Sequence, residues 1–324
     1  MKNVKILITG ITGQDGVFVT KYLLENNPHI KIYGTSRSLN YKEFYRKLNY
    51  LNPKLETNNI SIFKTELSIL ENVKKIISDI QPQSIYNLTG PSSVYESIKK
   101  PSLSSAIEII YNNLTLSCIN KSIFPNFFQA SSSEMYGKNH ETILDEKSMF
   151  LPNSPYAEAK LGNHIKTAEL RSRFNWNIVS GIMFNHESEF RTENYLFMKI
   201  INYLLNLKNL SGTKLTLGGV DLVRDWSHAS DISKGIVDMT ESKIFEDFVL
   251  GSGKPTKISD LLDMSFGYFN LDWNEYVEVK GEILRKDDPI YRISDPSKIK
   301  KMLNWKTVID TEEILRKIIR YTQL

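Results

Sequence analysis

Through roughly the first 185 residues, short apolar runs alternate with longer stretches whose apolar positions recur at helical spacing. Lys5–Thr9, Ile30–Gly34, Ile60–Lys64, Ser84–Leu88, Asn126–Ala130 and Ile178–Phe184 read as strands, and Val17 to Glu25, following the first of them, has helical periodicity. This alternation predicts βαβ units, and therefore an α/β fold built on a doubly wound parallel sheet with helices on both faces. After about residue 186 the pattern is less regular, with a helix near Tyr195–Asn206, a strand at Lys214–Leu217 and a last helix at Glu312–Tyr321. The chain is accordingly expected to divide into a parallel-sheet domain over 1–185, to which some later segments contribute, and a smaller intertwined C-terminal lobe over 186–324. No internal repeat or low-complexity run interrupts it.

Parallel sheets of this kind bind ligands at the carboxyl ends of their strands. Four segments fall there: the loop after Thr9, Asn87-Leu-Thr-Gly90, the segment around Ser132, and Asn185-His-Glu-Ser188. The first reads Gly10-Ile-Thr12-Gly13-Gln14-Asp15-Gly16, a tight turn between strand and helix. Backbone N–H groups and a helix N-terminus can approach a pyrophosphate there, provided no Cβ obstructs them. The spacing is GxxGxxG, not GxGxxG. The second strand ends in Arg37 and lacks the acidic residue that grips a ribose 2′-hydroxyl, which favours NADP over NAD.

Gln129-Ala-Ser-Ser132-Ser-Glu134-Met-Tyr-Gly137 is followed by Ser154-Pro-Tyr156-Ala-Glu-Ala-Lys160. Tyr156 and Lys160 are four apart on an expected helix and so share a face. A free phenol, with a pKa of about 10, is a poor base at neutral pH, but a neighbouring cation favours the phenolate. Tyr156 could then take a proton from a sugar hydroxyl, with the Ser132 hydroxyl bonding the same oxygen. Glu134 adds a carboxylate for a second proton transfer, which implies more than a simple oxidation. Any one of these residues alone is equally compatible with an amphipathic helix or a surface turn; their combination is what points to chemistry.

Composition narrows the class without naming a reaction. The 324 residues, 41% hydrophobic and 24% charged, are enough for one large α/β unit plus a smaller lobe. A balance of 41 basic against 37 acidic residues, with no basic tract, argues against nucleic acid as a partner and suits an anionic small molecule. The single cysteine, Cys118, excludes an intrachain disulfide and a cysteine-based zinc site, so it reads as a core residue in a reducing compartment. No run approaches the roughly 20 apolar residues of a membrane span, and the N-terminus leads directly into a strand. A cytoplasmic enzyme is expected.

Ile8-Thr-Gly-Ile-Thr-Gly-Gln-Asp-Gly16, Tyr86-Asn-Leu88, Gln129 to Gly137, Ser154 to Leu161, Gly181-Ile-Met-Phe-Asn-His-Glu-Ser188, Arg224-Asp-Trp-Ser-His-Ala-Ser-Asp231, Asp295-Pro-Ser-Lys and Leu303-Asn-Trp305 together resemble the extended short-chain dehydrogenases, and within them the GDP-mannose 4,6-dehydratase family. The resemblance spans nearly the whole chain. It implies a Rossmann-type domain and a reaction in which bound NADP is used and returned within one turnover. Tyr156, with Ser132 and Lys160, would remove the C4 hydroxyl proton as the C4 hydride leaves. Glu134 would take the C5 proton and assist loss of water from C6, and the hydride would return to C6 to give a 4-keto-6-deoxy sugar.

The resemblance also implies that His186, Arg191, Leu67 and Leu88 line the cofactor, with Glu66 standing where an Asp is usual. Asn185, Lys199, Arg224 and Arg285 match contacts to GDP, and Asp288 stands where the family has a Glu that addresses the nucleotide. A guanidinium fork such as that of Arg224 suits a diphosphate on its own chemistry. Three departures from the family pattern are expected to lie near the hexose: Glu189-Phe-Arg-Thr192 in place of Pro-Arg-Arg-Gly, Thr89-Gly-Pro-Ser-Ser93 in place of an Ala-rich turn, and Ser227 in place of Gly. They point to a related sugar nucleotide, GDP-N-acetylglucosamine being one candidate beside GDP-mannose. An epimerase or 4-keto reductase would keep the cofactor loop and dispense with Glu134, and a non-catalytic sugar-nucleotide sensor would have no need of Tyr156 and Lys160. The family commonly assembles as homodimers or homotetramers, and a homo-oligomer is expected here.

Overall fold

The computed structural model describes residues 4–37, 41–91, 93–210, 212–283 and 288–323. Its first half runs β1 (Lys5–Thr9), α1 (Gln14–Asn26), β2 (Lys31–Ser36), α2 (Lys42–Leu51), β3 (Ile60–Lys64), α3 (Leu70–Ile80), β4 (Ser84–Asn87), α4 (Val94–Lys99), α5 (Ser102–Asn120) and β5 (Asn126–Ser132). A short β6 (Ile143–Leu144) precedes α6 (Pro155–Phe174), β7 (Ile178–Met183), β8 (Asn185–Glu187), α7 (Leu196–Leu205), β9 (Leu215–Leu217) and β10 (Val223–His228). The chain ends with α8 (Ala229–Glu241), β11 (Phe248–Leu250), β12 (Pro255–Lys257), α9 (Ile258–Gly267), α10 (Trp273–Tyr276), β13 (Val277–Val279), β14 (Tyr291–Ser294), α11 (Ser297–Leu303) and α12 (Thr311–Thr322).

Seven strands form one parallel sheet in the order β11-β7-β5-β4-β1-β2-β3. Six are the six expected runs, shifted by at most two residues at their ends. The seventh, β11, was not anticipated: three residues are too few to show a period. Side chains alternate across the sheet. Ile6, Ile8, Ile32, Phe128 and Val179 pack under α1 and α8 on one face, while Leu7, Ile85, Phe127 and Ile178 pack under α3 and α5 on the other. Burying each such side chain contributes roughly 1.5–3 kcal/mol, and coverage of both faces explains why these strands read as nearly continuous apolar runs.

Strand order reverses between β1 and β4, so the connections on either side diverge and leave a crevice at the carboxyl ends. A buried chain of hydrogen bonds braces that edge: Thr9 Oγ1 donates to Asn87 Oδ1 at 2.8 Å, and Asn87 Nδ2 to Gln129 Oε1 at 2.7 Å. The later elements build a second core around Phe197, Trp226, Phe266 and Ile318. A smaller sheet in the order β12-β10-β14-β6, with β8 paired to β10, closes over the crevice. The expected helix at 195–206 and strand at 214–217 correspond to α7 and β9, and the last expected helix to α12. Cys118 is fully buried in the core, where desolvation pushes its thiol up to about 12. Among the described residues, no helix is long and apolar enough to cross a membrane.

Candidate active site

The loop between β1 and α1 closes on itself. Gly10 has φ +71°, a conformation that side chains with a Cβ rarely adopt. A Cβ on Gly16 would lie 2.5 Å from the Ile11 carbonyl oxygen. Gly13 caps α1 without any side-chain hydrogen bond to its first turn, whereas the N-cap serine of α6, Ser154, accepts from the Ala157 N–H at 3.2 Å. The first-turn N–H groups of α1 are therefore available to an anion, and strand, glycine turn and uncapped helix fit a dinucleotide pyrophosphate.

Residues from both halves line a cavity of about 470 Å³ at this edge of the sheet. Asp15, Leu88, Ser132, Glu134, Tyr156, Lys160, Asn185, His186, Arg191, Arg224 and Asp288 are all part of its wall. Thr12, Gln14 and the three glycines belong to the loop beside it: Thr12 Oγ1 lies 3.3 Å from Ser36 Oγ, and Gln14 joins Ser188 and the His186 carbonyl. Arg37 and Glu66 line a separate surface pocket of about 330 Å³ with Lys64 and Thr65, at the ends of β2 and β3. Leu67 is buried in the core, where its carbonyl accepts from Asn113. Lys199 stands outside the cavity wall, its ammonium on the Thr216 carbonyl at 2.7 Å. Arg285 lies outside the described residues.

The Ser132, Tyr156 and Lys160 groups meet because β5 ends at Ser132 and α6 packs along β5. The Tyr156 and Ser132 side chains line the same cavity, and Ser132 Oγ accepts the Glu134 N–H at 3.2 Å and so starts the 3₁₀ turn Ser133–Tyr136. Lys160 Nζ donates to the Ala130 carbonyl at 2.8 Å and stands 5.6 Å from the Tyr156 ring centre. The expected effect of Lys160, to favour the Tyr156 phenolate, is not the prevailing one. Burial drives the Tyr156 phenol upward, the neighbouring Ser132 hydroxyl opposes that, and the Glu134 charge adds to it. Burial likewise brings the Lys160 ammonium down to about 8, with Asp15 opposing.

At the loop, burial would raise the Asp15 carboxyl, but His186, 3.1 Å away, and Arg191 outweigh it and hold it below its usual range. His186 is raised in return, against its own burial, chiefly by Asp15. Arg191 stacks on Tyr195, with 3.4 Å between the guanidinium carbon and the ring centre. Tyr195 also lines the cavity and was read from the sequence only as the start of a helix.

On the opposite wall Arg224, 6% exposed in β10, pairs with Asp288 at 3.1 Å. Arg292, 2% exposed in β14, pairs with Glu134 at 2.5 Å. Sequence reasoning passed over Arg292. The available signal was a lone arginine in a short strand, flanked by Tyr291 and Ile293.

In two of the three departures from the family pattern the exchanged side chains are not part of the cavity wall, although Arg191, inside the first segment, is. Glu189 is buried with its carboxylate 3.1 Å from His228 Nε2, and Phe190 stacks on Phe18 of α1 at 5.4 Å. Ser227 is fully buried behind the wall. Thr89, Gly90, Pro91 and Ser93 do line it, with Gly90 held at φ +145° ahead of the proline.

A family model described as GDP-mannose 4,6 dehydratase matches residues 7–318. GDP-mannose 4,6 dehydratase 1 of Arabidopsis thaliana is 31% identical over 97% of this chain and 88% of its own. GDP-mannose 4,6 dehydratase of Homo sapiens is 30% identical over 97% and 90%. Among solved structures, a dTDP-glucose 4,6-dehydratase from Streptomyces venezuelae with NAD bound superposes with a TM-score of 0.84 at 19% identity, covering 99% of this chain and 97% of that one. A UDP-N-acetylglucosamine 4-epimerase from Methanobrevibacter ruminantium gives 0.83 at 23% identity, with complete coverage of both. The two structures share the fold; at that identity they say nothing finer.

Proposed function

The chain belongs to the GDP-mannose 4,6-dehydratase family, and from that membership we propose that it is a hydro-lyase converting a GDP-hexose to a GDP-4-keto-6-deoxy sugar. The observation that carries this reading is the presence of a carboxylate, Glu134, lining the same cavity as Ser132, Tyr156 and Lys160. One proton acceptor suffices to oxidise a hydroxyl; eliminating water needs a second.

Tyr156 Oη takes the proton of the C4 hydroxyl, with Ser132 Oγ bonded to the same oxygen. Because burial keeps Tyr156 a phenol, a positive charge must shift the balance toward phenolate. Lys160 supplies one such charge; an oxidised nicotinamide, when bound, adds another and provides the reversible two-electron acceptor that makes the overall reaction redox-neutral. The C4 ketone acidifies C5. Glu134 then takes the C5 proton and delivers a proton to the C6 oxygen, which leaves as water.

The glycine loop, with Asp15, Leu88, His186 and Arg191, would hold the cofactor. Within this reading the cofactor is NADP, because Arg37 and Lys64 flank the pocket at the end of β2 and suit a 2′-phosphate. Arg224 would hold the diphosphate, with Asn185, Lys199, Arg285 and Asp288 as further nucleotide contacts. Residues 1–185 would serve mainly the cofactor and 186–324 mainly the sugar nucleotide. The hexose is GDP-mannose or, as a variant, GDP-N-acetylglucosamine; what supports a variant is the altered Thr89–Pro91 turn in the cavity wall. A cytoplasmic homo-oligomer completes the reading, supported by the single buried Cys118 and by exposed Ile109, Leu116 and Ile165 on the packed helices α5 and α6.

The test is to incubate purified protein and NADP with each of the two GDP-sugars and follow water loss by mass spectrometry. Loss from at least one is expected. Loss from GDP-mannose alone would make the altered turn irrelevant to specificity, and loss from neither would overturn the assignment.

A further inference from the structure

We propose that Arg292 is a positioning residue for the elimination half of the reaction, holding the Glu134 carboxylate ionised and in place; this rests on the dehydratase reading above. A guanidinium buried to 2% exposure must be paired, because an unpaired buried charge costs several kcal/mol. The partners of Arg292 define its role. Nη1 donates to Glu134 Oε1 at 2.5 Å and Nη2 to the Gly137 carbonyl at 3.2 Å. One planar fork thus spans the 3₁₀ turn that carries Glu134, binding its side chain near one end and the backbone just beyond the other.

The end of the turn is packed tightly against the Leu151 carbonyl. Gly137 has φ +50°, and a Cβ there would fall 1.9 Å from the Leu151 carbonyl oxygen. Glu134 lines the cavity, whereas Arg292 is not among the lining residues. Arg292 therefore reaches the substrate only through the carboxylate it holds.

The pairing continues outward. Asp288 lies 3.7 Å from Arg292 and 3.1 Å from Arg224, so positive and negative groups alternate from Arg224 through Asp288 and Arg292 to Glu134. Such alternation is what allows four charged groups to share a largely buried wall.

The chemical consequence follows from what Glu134 must do. It accepts the C5 proton as the C–H electron pair moves into the conjugated C4 ketone system. It then delivers a proton to the C6 oxygen as the C6–O bond breaks and water departs. Only the carboxylate can begin this sequence. A fixed cation at one oxygen favours that form over the acid and holds the group near the attack geometry, where a displacement of about 1 Å costs roughly 100-fold in rate.

The experiment compares wild type, Arg292→Met, Arg292→Lys, Glu134→Gln and the double variant Glu134→Gln/Arg292→Met, each with NADP and the GDP-sugar that the wild type dehydrates. Three quantities are read: formation of reduced nicotinamide in a single turnover, deuterium uptake at C5 from D2O, and the pH profile of kcat/KM. For Arg292→Met, the inference expects C4 oxidation within a few-fold of wild type, C5 exchange and water loss slowed roughly 100-fold, and the acidic limb of the profile displaced to higher pH. The same substitution should cost little in the Glu134→Gln background. Should Arg292→Met fail to fold, Arg292→Lys carries the test: it keeps the charge and loses the two-point hold, so elimination slows while the acidic limb stays in place. Equal loss of C4 oxidation and C5 exchange, or full additivity with Glu134→Gln, would overturn the proposal. Absence of water loss from any GDP-sugar in the wild type would overturn the dehydratase reading, and the inference with it.

Discussion

The two walls of the cavity are held by different forces. On the sheet side, position comes from backbone geometry: Gly10 at positive φ, α1 starting without a side-chain cap, Lys160 on the Ala130 carbonyl, and the Thr9–Asn87–Gln129 chain behind them. On the lobe side, position comes from charges that meet across long sequence separations, Glu134 with Arg292 and Arg224 with Asp288. Under the proposed function the first arrangement serves the cofactor and is set by the fold, and the second serves the substrate, with a chemistry that depends on protonation state.

Substitutions at the two proposed proton acceptors, Tyr156 and Glu134, should separate the walls most strongly. Tyr156→Phe removes the C4 proton acceptor, so both C4 oxidation and water loss fall by about 10³–10⁴-fold. Glu134→Gln should leave C4 oxidation nearly intact and slow water loss by about 10²–10³-fold. Single-turnover absorbance of the reduced nicotinamide, read beside mass-spectrometric water loss, distinguishes them; equal loss in both variants would erase the contrast.

Gly16→Ala tests the backbone-held wall. The added Cβ must displace the Ile11 and Gly10 carbonyls, and we expect a loss of about 1–3 kcal/mol in urea unfolding together with weaker NADP binding. A variant that unfolds like wild type and binds NADP equally well would show that the loop tolerates side chains.

A last expected effect is a pH dependence. Lys160 has its ammonium lowered from 10.5 to about 8 by burial, so between those values the unfolded chain binds more protons than the folded one, and stability rises with pH. The penalty is fully present below about 8 and relieved as pH approaches 10.5. Measured as urea midpoints, the difference between wild type and Lys160→Met should move in favour of the wild type across this window. A constant difference would mean that Lys160 titrates normally.

The same contrast explains what the sequence disclosed. The central strands of the large sheet were legible because both faces are buried, which leaves apolar runs, and the glycine loop because its residue types are dictated by φ and by close approach. Tyr156 and Lys160 were legible because helical spacing is local. Arg292 was not: its partner is 158 residues away, and no local period marks a pairing between a turn after β5 and a strand near the end of the chain. Glu189 misled because its segment departs from the family pattern and was expected near the hexose, yet it lies in the turn after β8 with its carboxylate on His228. β11 was lost to brevity alone.

The central claim is that one cavity joins a C4 oxidation to loss of water across C5 and C6. A GDP-hexose carrying deuterium at C4 tests it most directly, with the product examined by NMR. The account predicts the label at C6 of a 4-keto-6-deoxy sugar, with one solvent-derived hydrogen at C5. Label returned to C4 of a hexose that has kept its water would mark a 4-epimerase and contradict it.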